Sequence, residues 1–377
     1  MSNSTVIDVE QLLAPIPGDH PTGQEIPLSE PNGLLIKTKD AWDEARKLIK
    51  EQQDKEQCGG IDSQGQPWRR VPDPNWDAVI NLATDALGTS KDFRVAAWLT
   101  EALLRKYYLP GLRDGLELCL GLCERYWSDI HPAANEEDGH GVTVGAFAGV
   151  VSDATASAIL SVPVAFGQRP SEREPKRYSA LDYSRAKELS SISDESERAH
   201  RQELGHIELS EFESVNAVTP AEFHQQNLVN IDRCLEVLAS LAEFFQQNCM
   251  DDEYGESTVP GVFAFREELE KLRRLVVELS GGPVDEQAQA ESDEPSATPM
   301  AASQAMTRES AFQAVERIAQ FFEKTEPHSP VHYALRQAIR WGKMPLPELL
   351  AELIEDGSTM ESLRKRVGLP QTETDHY

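Results

Sequence analysis

The sequence predicts an all-α protein with an N-terminal helical domain of stacked hairpins, a middle antiparallel helical hairpin and a small C-terminal helical oligomerisation module. Apolar residues recur at three- and four-residue spacing along most of the chain, which places them on one face of a helix. Alternating apolar and polar residues do not persist for any length. Because that alternation marks half-buried strands, its absence argues against the parallel sheets that usually carry nucleotide sites.

We divide the chain into four parts. An N-terminal helical domain covers 1–165, and a polar connection with a helical hairpin covers 166–280. A disordered acidic linker is predicted over 281–304, and the C-terminal module takes 305–377.

The N-terminal part should contain consecutive amphipathic helices. One begins with Asp73 as N-cap and Pro74 at the first helical position, and it ends at Gly88. Two more are predicted, from Lys91 to about Tyr107 and from Gly111 to Ile130. Since short loops make neighbouring helices antiparallel, we expect them to stack as hairpins.

The segment Val142–Phe166 is long and apolar, so a membrane span has to be considered. Asp153 and Pro163 lower its hydrophobicity, and no Lys or Arg flanks its start. We therefore expect a buried helix that breaks at Pro163. The polar tract 167–216 is predicted to be a loosely packed connection with one short helix near Ala180–Leu189.

A capping box of Thr219, Pro220 and Glu222 predicts the start of the middle hairpin. Two apolar seams of matched heptad spacing follow, and the acidic loop CMDDEYGESTVPG joins them. Neither seam reaches four heptads, which favours packing against each other over an intermolecular coiled coil. The seams are Leu228, Ile231, Leu235, Leu238, Ala242 and Phe245, and then Val262, Phe265, Leu269, Leu272, Val276 and Leu279.

The segment 281–304 is rich in Pro, Gly, Ala, Ser and acidic residues. Such a composition cannot bury enough apolar area to offset the entropy of an ordered chain. A flexible linker of this length has an r.m.s. reach of roughly 25 to 30 Å. It would let the C-terminal part form a fixed assembly while the other parts reach outward.

The C-terminal module reads as short helices separated by breakers. A helix that follows Thr307 stops at Pro327 and Pro330, and a second runs from Val331 to Trp341 before Gly342. A chain of roughly 60 residues leaves much of its apolar surface in water, so we expect the module to self-associate. The predicted interface comprises Phe312, Phe322, Pro330, Leu335, Ile339, Trp341, Met344, Leu349 and Leu350.

Charge and cysteine content limit the partners and the compartment. The chain has 64 acidic and 36 basic residues, a net charge of −28, which repels phosphate backbones and argues against nucleic acid. Five irregularly spaced cysteines argue for a reducing compartment. Helical spacing predicts that Cys119, Cys123 and Cys234 are core thiols, and Cys58 is the one expected to be exposed. The N-terminus has no signal-peptide pattern, so we predict a cytoplasmic protein with no direct membrane insertion.

No catalytic motif, cofactor site or metal site is predicted. A Walker loop, a G-x-S-x-G elbow, H-E-x-x-H and Cys-x-x-Cys are all absent from the sequence. The acidic run 136–138 with His131 and His140 could be drawn as a metal site, but a solvated loop is the better interpretation. An enzyme with an unrecognised helical active site remains a rival hypothesis.

One motif near the N-terminus is a Pro-Ile-x-Gly-x-x-Pro-x-Gly loop over 15–23. A second is SKDFRVAAWLTEALL over 90–104, followed by His131-Pro132. Both motifs resemble those of the ImpA/TssA family of bacterial type VI secretion proteins. The family's Arg and Trp-Leu near 142–166 are absent from this chain.

The C-terminal string EPHSPVHYALRQAIRWGKMPLPELLAELI resembles the same family. Glu326, Pro327, Ser329-Pro330, Arg340-Trp341 and Met344 stand in the family's pattern. One departure is Gln337-Ala338, where the family has an Arg-Ala pair.

The resemblance implies a non-enzymatic, ring-forming structural component. It would coordinate assembly of the baseplate, tail tube and contractile sheath, and contact the membrane complex. On the N-terminal domain we predict a partner surface at Pro15, Gly18, Lys91 and Asp92. The short C-terminal region favours a baseplate role. The alternatives to this role are a sheath-cap or stopper member of the same family and an unrelated helical adaptor protein.

Overall fold

The computed structural model describes residues 5–27, 30, 33–57, 71–168, 174–281 and 331–344. Its helices are α1 (Val9–Leu13), α2 (Leu34–Gln57), α3 (Trp76–Leu87), α4 (Phe93–Tyr126), α5 (Gly141–Val150), α6 (Asp153–Ala156), α7 (Ala180–Ser191), α8 (Glu195–Glu203), α9 (Leu209–Asn216), α10 (Ala221–Asn248), α11 (Phe263–Leu279) and α12 (Val331–Lys343). Two strands, β1 (Pro163–Gly167) and β2 (Lys176–Ser179), pair antiparallel. The protein is therefore mostly helical.

Helix α4 is two helices joined at a sharp kink. Tyr108 has φ 58° and ψ −136°, which is outside helical geometry. The chain folds back there, and a Cβ on Gly111 would lie 2.2 Å from the carbonyl oxygen of Leu103. We call 93–107 the first arm and 109–126 the second arm. The two helices predicted on either side of residue 108 are confirmed, and their close approach requires glycine at position 111.

One hydrophobic core unites the N-terminal helices with the middle hairpin. Its buried residues run from Leu12 to Val276, so the predicted boundary at residue 165 falls inside this core. Phe245 of α10 clusters with Phe93 of α4 and Phe147 of α5, with ring centroids 6.0 and 5.6 Å away. The α10 seam therefore packs against α4 and α5 as well as α11, which corrects the expectation that the two seams close only on each other.

The antiparallel hairpin of α10 and α11 is present as predicted, but its first cap is different. Thr219 does not cap α10, because its hydroxyl donates to the carbonyl of Val215 and accepts from the backbone N–H of Phe166. The helix begins at Ala221 after Pro220, without a side-chain cap. The predicted capping box was wrong because Thr219 instead links the helix to β1.

The segment 142–166 is not one helix broken at Pro163. It contains α5, the short α6, a 3₁₀ turn at Ile159–Ser161 and β1, which begins at Pro163. Strand β1 is buried at four of its five positions. A strand covered on both faces reads as a continuous apolar run, so it lacks the alternation that reveals half-buried strands. None of the helices in the described ranges is both long and apolar enough to cross a membrane.

The tract 167–216 is more regular than predicted. It supplies β2, α7, α8 and α9. Helix α7 covers the predicted short helix, and a capping box of Ser179 and Asp182 starts it. Helix α8 buries no side chain, and the Asp194 cap and the Glu197–Arg201 ion pair stabilise it instead. Local capping therefore orders a segment whose composition suggested a loose connection.

Two smaller predictions concern α3 and the cysteines. Asn75, not Asp73, caps α3, and Gly88 follows its last residue as predicted. Cys119, Cys123 and Cys234 are buried free thiols, as expected of core residues. Burial raises the pKa of Cys119 to about 12. Cys58 lies outside the described residues.

The chain divides into two compact units, Met1–Val284 and Asp285–Tyr377. In the second unit the structure describes α12, which matches the predicted second helix of the C-terminal module. It continues through Gly342 to Lys343, so the predicted stop at Gly342 was wrong. The predicted linker 281–304, apart from Gly281, and the module's other predicted helices lie outside the described residues.

Candidate partner-binding groove

The family-like motifs at the N-terminus meet at one place in the fold. The loop 15–23 is closed by a hydrogen bond from the Ile16 N–H to the Pro21 carbonyl, 2.8 Å. It joins the segment before α4 through a bridge between Gly23 and Ser90 and a 2.8 Å bond from the Lys91 N–H to Thr22 O. Motifs separated by nearly seventy residues therefore form one structural junction.

Gly23 is required at this junction. It has φ 69°, in the left-handed region, and a Cβ there would lie 2.2 Å from the carbonyl oxygen of Thr89. Only glycine combines that backbone conformation with such a close approach.

Lys91 is buried, with 1% of its surface exposed. Its ammonium donates to the carbonyls of Leu12, at 2.7 Å, and Leu87, at 3.2 Å. Burial lowers its pKa. The side chain ties the C-terminal turns of α1 and α3 together, and almost none of it is accessible to a partner.

Asp92 is also buried, at 0% exposure. Its carboxylate caps α4 by accepting from the Arg94 and Val95 N–H groups, and it pairs with the Arg94 guanidinium at 2.6 Å. The assignment of Lys91 and Asp92 to an exposed partner surface is therefore corrected. Both are positioning residues, and their charge misled the sequence interpretation because charged side chains are seldom fully buried.

The two histidines of the rejected metal cluster have separate structural roles. The His131 ring lies 3.2 Å from the carbonyl oxygen of Gly23. His140 stacks on Trp127 and accepts a 2.8 Å hydrogen bond from the Met250 N–H. No group of His, Cys, Asp and Glu suited to a metal ion occurs among the residues that the structure describes.

Pro15 and Gly18 are exposed, and Pro15 lines a groove of about 610 Å³. One wall is the N-terminal segment with α1, and the other is the C-terminal end of α3 with the turn that follows. Lining residues are Ile7, Asp8, Gln11, Leu12, Ala14, Pro15, Ile16, Pro17, Thr84, Asp85, Gly88, Thr89 and Lys91. We call this the N-terminal groove. Backbone hydrogen bonds at the adjoining junction tie the two walls together.

The sequence interpretation missed the residues that hold these walls. The Asp114 carboxylate accepts from the N–H groups of Val6 and Ile7 and pairs with the Arg113 guanidinium at 2.7 Å. Away from the groove, the sequence interpretation also missed Glu101, which is buried and accepts from the Trp42 indole of α2 at 2.9 Å. A charged residue inside an otherwise apolar helical run was the available signal, since such a residue needs buried partners.

The groove's other wall was also missed. Asp85 and Thr89 are exposed at the end of α3. Both lie within the five residues before the motif that begins at Ser90, and this proximity in sequence was the only available signal.

Four of the nine predicted oligomer-interface residues fall in the described part of the second unit. Ile339 is buried, and Leu335, Trp341 and Met344 are half-buried. Phe312, Phe322, Pro330, Leu349 and Leu350 lie outside the described residues, and the interface stays a prediction.

Comparison with known proteins gives three similarities. Residues 13–152 match the family described as ImpA, N-terminal, type VI secretion system. The type VI secretion system component TssA1 of Pseudomonas aeruginosa is 25% identical over 329 residues, covering 80% of this chain and 89% of that protein. The structure resembles the N-terminal domain, including the conserved ImpA_N region, of the TssA component from Burkholderia cenocepacia. That match has a TM-score of 0.55 and 24% identity, covering 74% of this chain and 96% of the other.

The matched family region contains the junction, the kinked α4 and most of the groove. The chain is therefore similar to type VI secretion system proteins along most of its length. Residues 13–152 belong to the ImpA N-terminal family of the type VI secretion system.

Proposed function

We propose that the chain is a non-enzymatic structural component that helps to assemble the type VI baseplate, tail tube and contractile sheath. It would form a ring through residues 305–377 and present its N-terminal domain to other secretion proteins in the cytoplasm. The similarity to a protein named as a secretion system component supports this role. The hydrogen bonds of Lys91 and Asp92 support a non-enzymatic role, because these charged motif side chains bind backbone groups of the fold and are not free for catalysis.

The N-terminal groove carries the proposal that this domain binds a partner. The groove is an exposed concave surface beside the hydrogen-bonded junction, and its rim includes exposed Ala14, Pro15, Asp85 and Thr89. Pre-formed concave surfaces are favoured as binding sites, because the protein loses little conformational entropy when a partner binds.

Filling the groove tests this role. Ala14→Arg and Thr89→Arg place a long charged side chain on exposed groove positions, so the fold should tolerate both. Binding to the baseplate and sheath proteins of the same system, measured with purified components, should weaken more than about tenfold, the scale of losing one interface hot spot. Ala221→Arg, at an exposed position on α10, is the matched control. Unchanged binding in both groove variants would refute the groove as the partner site.

The ring is tested separately. The mass of the full chain, measured by light scattering, should be a multiple of 41.9 kDa, whereas a truncation that ends at Gly282 should have the mass of a single shortened chain. Trp341→Ala should lower the oligomeric mass, because large aromatics dominate interface energetics. A full chain that is monomeric would overturn the ring and leave the groove proposal standing.

A further inference from the structure

Two large aromatic side chains project into solvent from the loop between α10 and α11. Tyr254 is 83% exposed and Phe263, the first residue of α11, is 77% exposed. Phe265, two residues later, is completely buried. Helix α11 therefore packs against the core through Phe265, and Phe263 lies on the solvent-exposed side of the same helix. Exposed aromatics on an ordered surface are typical of interaction sites.

The turn that carries Tyr254 is preorganised. The Asp252 carboxylate accepts from the Tyr254 N–H at 2.9 Å and from the Glu256 N–H at 2.8 Å. Backbone bonds from Asp252 to Glu256 and from Gly255 to Asp252 close the turn, and Gly255 has φ 76°. Such a turn would present Tyr254 with little loss of conformational entropy on binding.

A second loop fixes the first from behind. The Glu253 N–H donates to the Glu137 carbonyl at 3.0 Å, and the His140 N–H donates to the Met250 carbonyl at 3.0 Å. Gly139 sits so close that a Cβ would lie 2.3 Å from the carbonyl oxygen of Met250. The loops 135–140 and 249–262 therefore form one surface.

That surface is strongly acidic. Its carboxylates form no ion pair with a Lys or Arg within the described ranges. They are Glu136, Glu137, Asp138, Asp251, Asp252, Glu253 and Glu256. Together with Tyr254 and Phe263 we call these residues the acidic-aromatic surface.

We propose that the acidic-aromatic surface docks a basic protein partner whose apolar pocket receives Tyr254 or Phe263. Uncompensated carboxylates around aromatic anchors favour a partner of opposite charge, which they would attract and orient. A second copy would bring like charges together, and nucleic acid or an anionic membrane would be repelled for the same reason. This surface is separate from the N-terminal groove and does not depend on the function proposed for it.

Labelled synthetic peptides test the proposal with the full chain. One peptide carries lysine and leucine at helical spacing, a second replaces leucine by serine, and a third replaces lysine by glutamate. In fluorescence anisotropy at low salt, we expect the lysine-leucine peptide to bind tightest and to weaken as salt rises. Hydrogen exchange should show protection by this peptide over residues 249–263.

Variants decide whether the aromatic anchors matter. Tyr254→Ala and Phe263→Ala should each weaken the lysine-leucine peptide about fivefold or more, as expected of interface anchors. Both positions are exposed, so the melting temperature should not change. Tyr107→Ala and Glu243→Lys, at exposed positions in other parts of the fold, are the controls for aromatic loss and for charge.

Three outcomes would overturn the proposal. The first is equal binding of the lysine-serine peptide, which would reduce the interaction to net charge. The second is an equal loss in the control variants. The third is peptide-induced protection that occurs only outside residues 135–140 and 249–263.

Discussion

Phe245→Ala should destabilise the whole first unit and not the middle hairpin alone. The side chain is fully buried, and its ring contacts those of Phe93, Phe147 and Trp127 at centroid distances of 6.0, 5.6 and 6.1 Å. Phe93 belongs to α4, Phe147 belongs to α5, and Trp127 lies in the 3₁₀ turn that follows α4. Phe245 therefore joins α10 to the region that the sequence alone presented as a separate domain.

The expected cost is about 4 kcal/mol, because removing a buried phenyl ring loses its transfer free energy and leaves a cavity. That is a large share of the roughly 5 to 15 kcal/mol that stabilises a typical protein. For a unit of this size the melting temperature should fall by roughly 10 °C.

The assay is urea unfolding followed by circular dichroism and by tryptophan fluorescence. Both signals from the first unit should shift together to lower urea, since α10 and α4 share one core. Phe263→Ala removes the same ring from an exposed position, and it should cost less than about 0.5 kcal/mol. The reasoning is refuted if Phe245→Ala costs under about 1 kcal/mol, or if only part of the helical signal shifts.

Three further predictions concern the junction and the loops. Lys91→Met should cost about 1 to 3 kcal/mol in urea unfolding, because it leaves two buried carbonyls without a donor. A cost near zero would mean that water replaces the ammonium. Gly23→Ala should lower the free energy of unfolding by at least about 2 kcal/mol, because of the left-handed φ and the contact with Thr89. Gly149→Ala is the control and should not destabilise, since a Cβ there meets no atom within 4 Å. Equal losses of stability in the two variants would contradict this reasoning. Burial lowers the pKa of His140, so the folded state binds fewer protons than the unfolded state below about pH 6.5. Its contribution to stability is complete above that pH and is lost as pH falls toward the folded pKa, and His140→Asn should flatten this dependence in unfolding measurements at about pH 7.5 and about pH 5.5. An unchanged slope would exclude His140 as its source.

Helices with strong periodicity and clear breakers were predictable. The pair of helices within 93–126 followed from the apolar spacing, and the structure places the kink between them at Tyr108. The α10–α11 hairpin followed from two matched apolar seams. Periodicity shows which face of a helix is buried but does not show which other element covers that face. The packing of α10 on α4 therefore could not be inferred from the sequence.

Residues whose roles depend on distant partners were not predictable. Lys91 and Asp92 were recognised as motif residues, but their burial depends on carbonyls and N–H groups that the fold brings to them. Threonine is a common N-cap residue, but the Thr219 hydroxyl accepts a hydrogen bond from the Phe166 N–H of β1 and does not cap α10. For the N-terminal groove, Pro15 was predicted, while Asp85 and Thr89 on the facing wall carry no motif of their own.

The fold-back of α4 at Tyr108 also bears on the order in which this protein folds. The hydroxyl of Thr100 in the first arm lies 3.5 Å from the Cys119 sulfur in the second arm, only 19 residues further along the chain. Contacts between residues so near in sequence close at a small entropic cost, whereas α10 must return over more than a hundred residues to reach α4. The two arms are therefore the natural nucleus for folding, and destabilising substitutions between them should slow refolding, whereas Phe245→Ala should mainly speed unfolding.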